Sequence, residues 1–224
     1  MNNNDIIYEE ILTPLYDKIM REEIVKVRGH DTVELLNKSI TFNGNDDGII
    51  DIGPFKTSVK YVKAEIEWYN SMSPHIEKID AHASMWGDVA DERGMVNSNY
   101  GYLIFSPQNG YQYDNVRKEL IRDLYSRRAV MYYANPFIHY VGGNDHVCTI
   151  YVSYTFRDDK LHAFVNMRSS DVRFGIIGAD LAWQCHVLRK LCEDLNLVPG
   201  NIYWHATSLH LYDRHFNQLK EIMK

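Results

Sequence analysis

The feature that most restricts the fold is a change of hydrophobic period near residue 128. From there three runs rich in β-branched and aromatic residues follow one another, RAVMYYANP, VCTIYVSYTF and LHAFVNMRSS, and only the polar turn RDD separates the last two. The next stretch, ADLAWQCHVLRKLCEDLN, places Leu181, Cys185, Leu188, Leu191, Cys192 and Leu195 on one helical stripe, and NIYWHATSLHLY returns to strand.

The first half is mostly helical in spacing. In DIIYEEILTPLYDKIMREEIVK the apolar residues Ile6, Ile7, Ile11, Leu15 and Ile19 predict one or two helices, interrupted at Pro14. TVELLNKSITF reads as a strand or bent hairpin, followed by the turn chemistry of FNGNDDG. SVKYVKAEIEWYNS predicts a helix with one apolar face, 84–104 predicts irregular chain, and 111–125 a second amphipathic helix. Helices first and then strands flanking a long helix is the layout of an α+β domain around one mixed or antiparallel sheet. No repeat or linker divides the 224 residues, so one globular unit is expected.

Composition removes several classes of function. A net charge of −6 argues against a protein built to bind nucleic acid, while a few local arginines can still hold one phosphate. No apolar run is long enough to span a membrane, so a cytoplasmic protein is expected. Three cysteines without a CxxC pair indicate neither a disulfide framework nor a zinc site. GxGxxG, GxxxxGK[ST] and HExxH are all missing from the sequence, which leaves dinucleotide, P-loop and zincin chemistry without a motif.

Candidate chemistry then rests on single residues. Cys185 and Cys192 lie on the apolar stripe and read as core. Cys148 follows the polar loop GGNDH and opens a strand, a position equally compatible with packing and with nucleophilic catalysis. Arg168, inside an otherwise apolar strand, needs an anion or a buried partner. Arg127 and Arg128 taken alone are a surface pair. Glu65 and Glu67 straddle an apolar helix face, so one of them points inward as a possible general base. Asp180 opens the long helix, where an N-cap is the ordinary role. His210 and Tyr212 alternate on a strand and share a side.

Taken in order, AEIEWYNS, MWGDVADERGMVNSNYG, SRRAVMYYANP, HVCT, NMRSSDVRFG, DLAWQ and SLHLYDRHF make the chain resemble the thymidylate synthase superfamily. Within it, the chain resembles most closely the phage deoxycytidylate (dCMP) hydroxymethylases. The resemblance implies an α+β thymidylate synthase-like single domain with a large mixed or antiparallel sheet flanked by helices, paired through the back of that sheet into a homodimer. It also implies dCMP as substrate, 5,10-methylenetetrahydrofolate as co-substrate, no metal, no nucleic-acid or membrane partner, and the host cytoplasm as the place of action. By position, Cys148 matches the nucleophile that adds to pyrimidine C6, and Glu65 the catalytic glutamate. Arg168 and Ser169 match phosphate ligands, with Arg28 the candidate for a further phosphate arginine. Arg127 and Arg128 match the pair lent across the dimer to the partner's phosphate. His210 and Tyr212 match ribose contacts, Asp171 a folate contact, and Trp86 and Tyr100 cleft residues near the reacting base.

Two departures from the synthases bear on the product. Thr149 stands where they usually carry a histidine, as in the hydroxymethylases, and Asp180 is the best match to their uracil-pairing asparagine. The segment FGIIGAD is one residue longer than the family pattern, so a gap-free match would put Ala179 at that position; DLAWQ downstream favours Asp180. Cytosine, with its N4 amino donor and N3 acceptor, suits a carboxyl better than an amide. The resemblance therefore implies hydroxymethylation of dCMP. CMP or dUMP hydroxymethylation, thymidylate synthesis and a non-catalytic nucleotide-binding protein stand as alternatives.

Overall fold

The N-terminal helical pattern is realised as a continuous rod in the computed structural model, which describes residues 2–139 and 145–224. Residues 142–144 of the GGNDH loop lie outside the described residues. The rod comprises α1 (Asn3–Ile7), a π-helical turn (Tyr8–Leu12) and α2 (Thr13–Met20). Pro14 does not interrupt it. The proline falls in the first turn of α2, where its missing N–H and fixed φ are tolerated.

β1 (Val25–Val27) and β2 (His30–Asn43) follow, joined by Arg28 and Gly29 at φ 50° and 86°, the left-handed pair of a two-residue hairpin turn. β2 is one long strand rather than a bent hairpin, with a left-handed residue at Asn37. A small hairpin, β3 (Asp51–Ile52) and β4 (Phe55–Lys56), leads into α3 (Val59–Asn70), whose N-cap Ser58 accepts the Tyr61 N–H.

After α4 (Glu77–Asp80), the span expected to be irregular holds two short helices, α5 (Met85–Val89) and α6 (Tyr100–Phe105). Local capping explains α6: Asn99 accepts the Tyr102 N–H, a signal hidden among neighbouring Gly and Asn. Then come α7 (Gln112–Arg122), β5 (Val130–Tyr132), β6 (Thr149–Arg157) and β7 (Lys160–Asp171). Asp158 and Asp159, both left-handed, close the expected β6–β7 hairpin. A π-helical segment, Val172–Asp180, runs into α8 (Leu181–Leu195), and β8 (Pro199–Tyr212) and α9 (Phe216–Ile222) complete the described elements.

The large sheet has the order β1-β2-β8-β7-β6-β5. Every pairing is antiparallel except β7 with β8, and that parallel pair requires the long crossover that the π-helical segment and α8 supply. Alternate residues face opposite ways. Val152, Tyr154, Val165, Met167, Trp204 and Ala206 are buried in the core. Tyr151, Ser153, Phe164, Asn166, Tyr203 and His205 line a groove of about 570 Å³ on the other face. The stripe of α8 packs as its spacing predicts. Leu181, Cys185, Leu188 and Leu191 are fully buried, and each such leucine contributes about 1.5–3 kcal/mol.

Candidate active site

The inward carboxylate of α3 is Glu65. Buried Val62, Trp68 and Tyr69 flank it at helical spacing, while Glu67 is exposed. One Glu65 oxygen accepts from the Tyr69 hydroxyl at 2.5 Å, and the other, Oε2, is buried without a partner among the described residues. Burial raises the acid to about 7, against the Tyr69 hydrogen bond, which favours the anion. A carboxyl that titrates near neutrality with one oxygen open is built to exchange a proton with something that enters the site.

A bulge at the start of β6 pairs Thr149 with Met167 but Tyr151 with Asn166, which re-aims the chain entering the strand. Cys148 is half-buried and Thr149 fully buried. The Arg168 side chain folds back onto this segment: Nε donates to the Val147 carbonyl at 2.9 Å, one terminal nitrogen donates to the His146 carbonyl, and the same nitrogen lies 3.8 Å from Cys148 Sγ. The other terminal nitrogen has no acceptor among the described residues and is available to an anion.

Arg168 favours the Cys148 thiolate. Burial outweighs it, however, with Asp180, Asp145 and Asp171 adding to the rise, and the thiol is pushed up to about 11. The thiol is therefore neutral until a ligand changes its surroundings. Thr149 Oγ1 lies 3.1 Å from both the Tyr100 hydroxyl and Met167 Sδ, which ties the strand to α6.

The third carboxyl comes from the π-helical segment. Asp171 starts it, with Oδ1 accepting the N–H groups of Arg173 and Phe174. Asp180 ends it and is not an N-cap, because its backbone is already helical (φ −61°, ψ −44°) and its side chain caps nothing. Ala179 is buried against Val62 and Ala182. Asp180 instead lies by Gly175, where an added Cβ would stand 2.8 Å from its Oδ2. Burial, then the charges of Glu65 and Asp171, raise Asp180 to about 8. At neutral pH it is a carboxylic acid, with one donor and one acceptor.

Ser169 pairs in register with Ser208, and Asp171 with His210, so the ends of β7 and β8 carry these groups side by side. His210 is buried and meets the Tyr212 ring edge-on at 5.1 Å. Trp86 is buried and donates from Nε1 to the Tyr61 hydroxyl at 3.1 Å. Tyr100 is buried and stacks on Tyr69 at 5.2 Å. Tyr61 and Tyr69 escaped the sequence analysis, although Tyr69 sits four residues from Glu65 on the same helix face, a spacing that points to contact. Arg28 is exposed in its hairpin turn at the same end of the sheet, two residues before His30, whose ring meets Tyr212 edge-on at 5.8 Å. Arg127 and Arg128 are exposed beside a shallow hollow with Glu119 and Arg122.

A thiol, a phosphate-ready arginine and two neutral-range carboxyls gathered at one sheet end agree with the comparison to known families, in which the thymidylate synthase family model matches residues 7–224. The chain belongs to the thymidylate synthase family. It is 42% identical over 169 residues to the deoxycytidylate 5-hydroxymethyltransferase of Enterobacteria phage T4, covering 70% of this chain and 68% of that one. It is 28% identical to the thymidylate synthase of Buchnera aphidicola over 70% of this chain and 61% of that one. It is also 27% identical to the deoxyuridylate hydroxymethyltransferase of Bacillus phage SP01 over 56% and 36%. The chain is accordingly an enzyme of that family, whose chemistry is one-carbon transfer from methylenetetrahydrofolate to a pyrimidine nucleotide.

The residues present suit that co-substrate. Among the described residues Asp171 accepts only through Oδ1, so its Oδ2 could take the N–H donors of a pterin, and Phe174, 42% exposed next to it, offers a ring face. Among the described residues no cluster of three metal-ligating side chains occurs, and no helix is long and apolar enough to cross a membrane.

Proposed function

We propose that this single catalytic unit transfers a one-carbon unit from 5,10-methylenetetrahydrofolate to C5 of dCMP with addition of water, giving 5-hydroxymethyl-dCMP and tetrahydrofolate. The observation that carries the proposal is the carboxyl of Asp180 at the end of the π-helical segment beside Gly175, where burial favours its protonated form. One of its oxygens can accept from the cytosine N4 amino group while the other shares the proton with N3; uracil, whose N3 already carries hydrogen, has no lone pair there to share it.

The remaining groups fit the same reaction. With the phosphate taken by Arg168 and Ser169, and the ribose beside His210 and Tyr212, the Cys148 thiol gives up its proton to solvent and its sulfur adds to C6. The S–C6 bond gives C5 the electron pair it needs as a nucleophile. The proton that Asp180 shares with N3 draws charge from the ring and favours this addition. C5 takes the methylene carbon of the folate, which Asp171 would hold among the cleft aromatics Trp86 and Tyr100; C5 then gives up its proton to solvent and the carbon–nitrogen bond to tetrahydrofolate breaks, which leaves a methylene on C5. Water then adds to the methylene left on C5, giving its proton to the Glu65 carboxylate, and loss of the thiolate restores the C5=C6 bond.

Two further features support a homodimer. The outward groove carries half-exposed Phe164 and Tyr203 stacked at 4.7 Å, the kind of aromatic surface a second copy covers. Arg127 and Arg128 stand free of their own chain's site, as residues lent to a partner would. The enzyme would act in the cytoplasm of a phage-infected host.

Incubation with dCMP, CMP and dUMP in turn, read by product mass, tests the assignment. The expected result is dCMP gaining CH2O; dUMP gaining CH2 would overturn it. For the dimer, Arg127→Ala and Arg128→Ala variants, each inactive alone, are expected to regain activity when mixed with Cys148→Ser subunits.

A further inference from the structure

The orientation of Asp180 depends on a residue from another element. Each step along a helix turns the side chain by about 100°. A one-residue change of register between Val172 and Leu181 would therefore carry Ala179 into the place of Asp180 and Asp180 into the buried place of Leu181. The segment is π-helical over Val172–Asp180, and a π-helical turn holds one residue more than an α-helical one. Its i→i+5 hydrogen bonds give the extra residue a place without displacing α8. Such a widened turn is unfavourable by itself, and the change back to α-helical bonding leaves a carbonyl to be satisfied from outside the helix.

Thr57, two residues before α3, satisfies one. It is 2% exposed, and its Oγ1 donates to the Ile177 carbonyl at 2.6 Å while accepting the Ile50 N–H at 3.0 Å. The hydroxyl has one hydrogen, and Ile50 meets it as an N–H donor while the Ile50 carbonyl accepts the Thr57 N–H at 2.8 Å. The donor direction of Thr57 is thereby fixed on Ile177, three residues before Asp180.

We propose that Thr57 is a positioning residue for base selection: by holding the Ile177 carbonyl it keeps the widened turn in register, so that Asp180 and not Ala179 faces the nucleotide. This rests on the assignment of Asp180 as the partner of cytosine.

Steady-state kinetics on dCMP and dUMP with wild type, Thr57→Val and Thr57→Ser test it. Valine keeps the shape and removes the hydroxyl. It is expected to lower the dCMP:dUMP ratio of kcat/KM by about tenfold or more, the weight of one buried hydrogen bond, and serine is expected to restore the ratio. A ratio within about twofold of wild type in folded Thr57→Val, or equal losses on both substrates, would overturn the proposal and leave the Asp180 assignment intact. A wild type without preference for dCMP over dUMP would overturn both. Deleting Gly178 in the Thr57→Val background covers the case in which the single variant does not fold. With the extra residue gone the helix needs no widened turn, so a folded, dCMP-selective double variant is expected, and an unfolded or unselective one counts against the proposal.

Discussion

Replacing Tyr69 by phenylalanine isolates what sets the proton affinity of Glu65. The ring contacts with Tyr100 and Trp183 survive the change, so the main loss is the hydroxyl that donates to Glu65 Oε1. A hydrogen bond to a charged group contributes about 1.5–3 kcal/mol, and about 1.4 kcal/mol moves a pKa by one unit, so Glu65 should rise about 1–2 units. Starting from about 7, the variant would titrate near 8–9. If the ionised form accepts the proton of water, the acid limb of the kcat profile shifts upward by the same amount. At pH 7 the ionised fraction falls from about one half to between about one tenth and one hundredth, a loss of roughly 5- to 50-fold in kcat that shrinks toward pH 9. The assay is initial-rate kinetics at saturating dCMP and folate from about pH 5.5 to about 9.5. An unmoved acid limb, or a loss equal at every pH, would refute the role given to Glu65 and the cause given for its shift.

Stability offers an independent view of the same carboxyl. The folded state keeps the Glu65 proton up to about 7, whereas the unfolded chain releases it near 4.5, so the folded state binds more protons in that window and stability falls as pH rises through it. Urea unfolding of Glu65→Gln should therefore gain on wild type by about 3 kcal/mol between pH 4.5 and pH 8, and a constant difference would contradict the shift. Cys148 is half-buried while Cys185 and Cys192 are buried, so iodoacetamide should label Cys148 alone, about a hundredfold more slowly than free cysteine at pH 8. Arg168→Ala should slow labelling further, as read by peptide mass; faster labelling would reverse the sign assigned to the arginine. Gly175→Ala puts a methyl carbon 2.8 Å from Asp180 Oδ2 and should lower kcat/KM for dCMP by about tenfold or more with little change in melting temperature.

What could be read from the sequence follows the range of the forces involved. Hydrophobic spacing located α3, α7, α8 and the β6–β7 hairpin, because burial of one face acts residue by residue along the chain. The same spacing showed that either Glu65 or Glu67 turns inward, and burial of Glu65 decided between them. Short helices such as α6 escaped, since their caps are single Asn or Ser residues in stretches that also look like loop. Asp180 carried two readings at once, cap or base partner, and the choice required a π-helical register that no periodicity announces. The resting state of Cys148 was the least legible. Its thiol responds to desolvation and to aspartates that are distant in sequence, and these exceed the one arginine that the motif displays.

The single parallel pairing in the sheet also orders events in time. β8 lies between β2 and β7, yet it follows both in the chain, so during translation those two strands wait with open edges while the crossover and α8 are made. The sheet becomes continuous only when residues 199–212 insert between them, and the same insertion brings His210 and Tyr212 to the ends of Ser169 and Asp171. Closure of the sheet and assembly of the nucleotide site are thus one late event, and a nascent chain halted before it would expose two long unpaired strands to its neighbours.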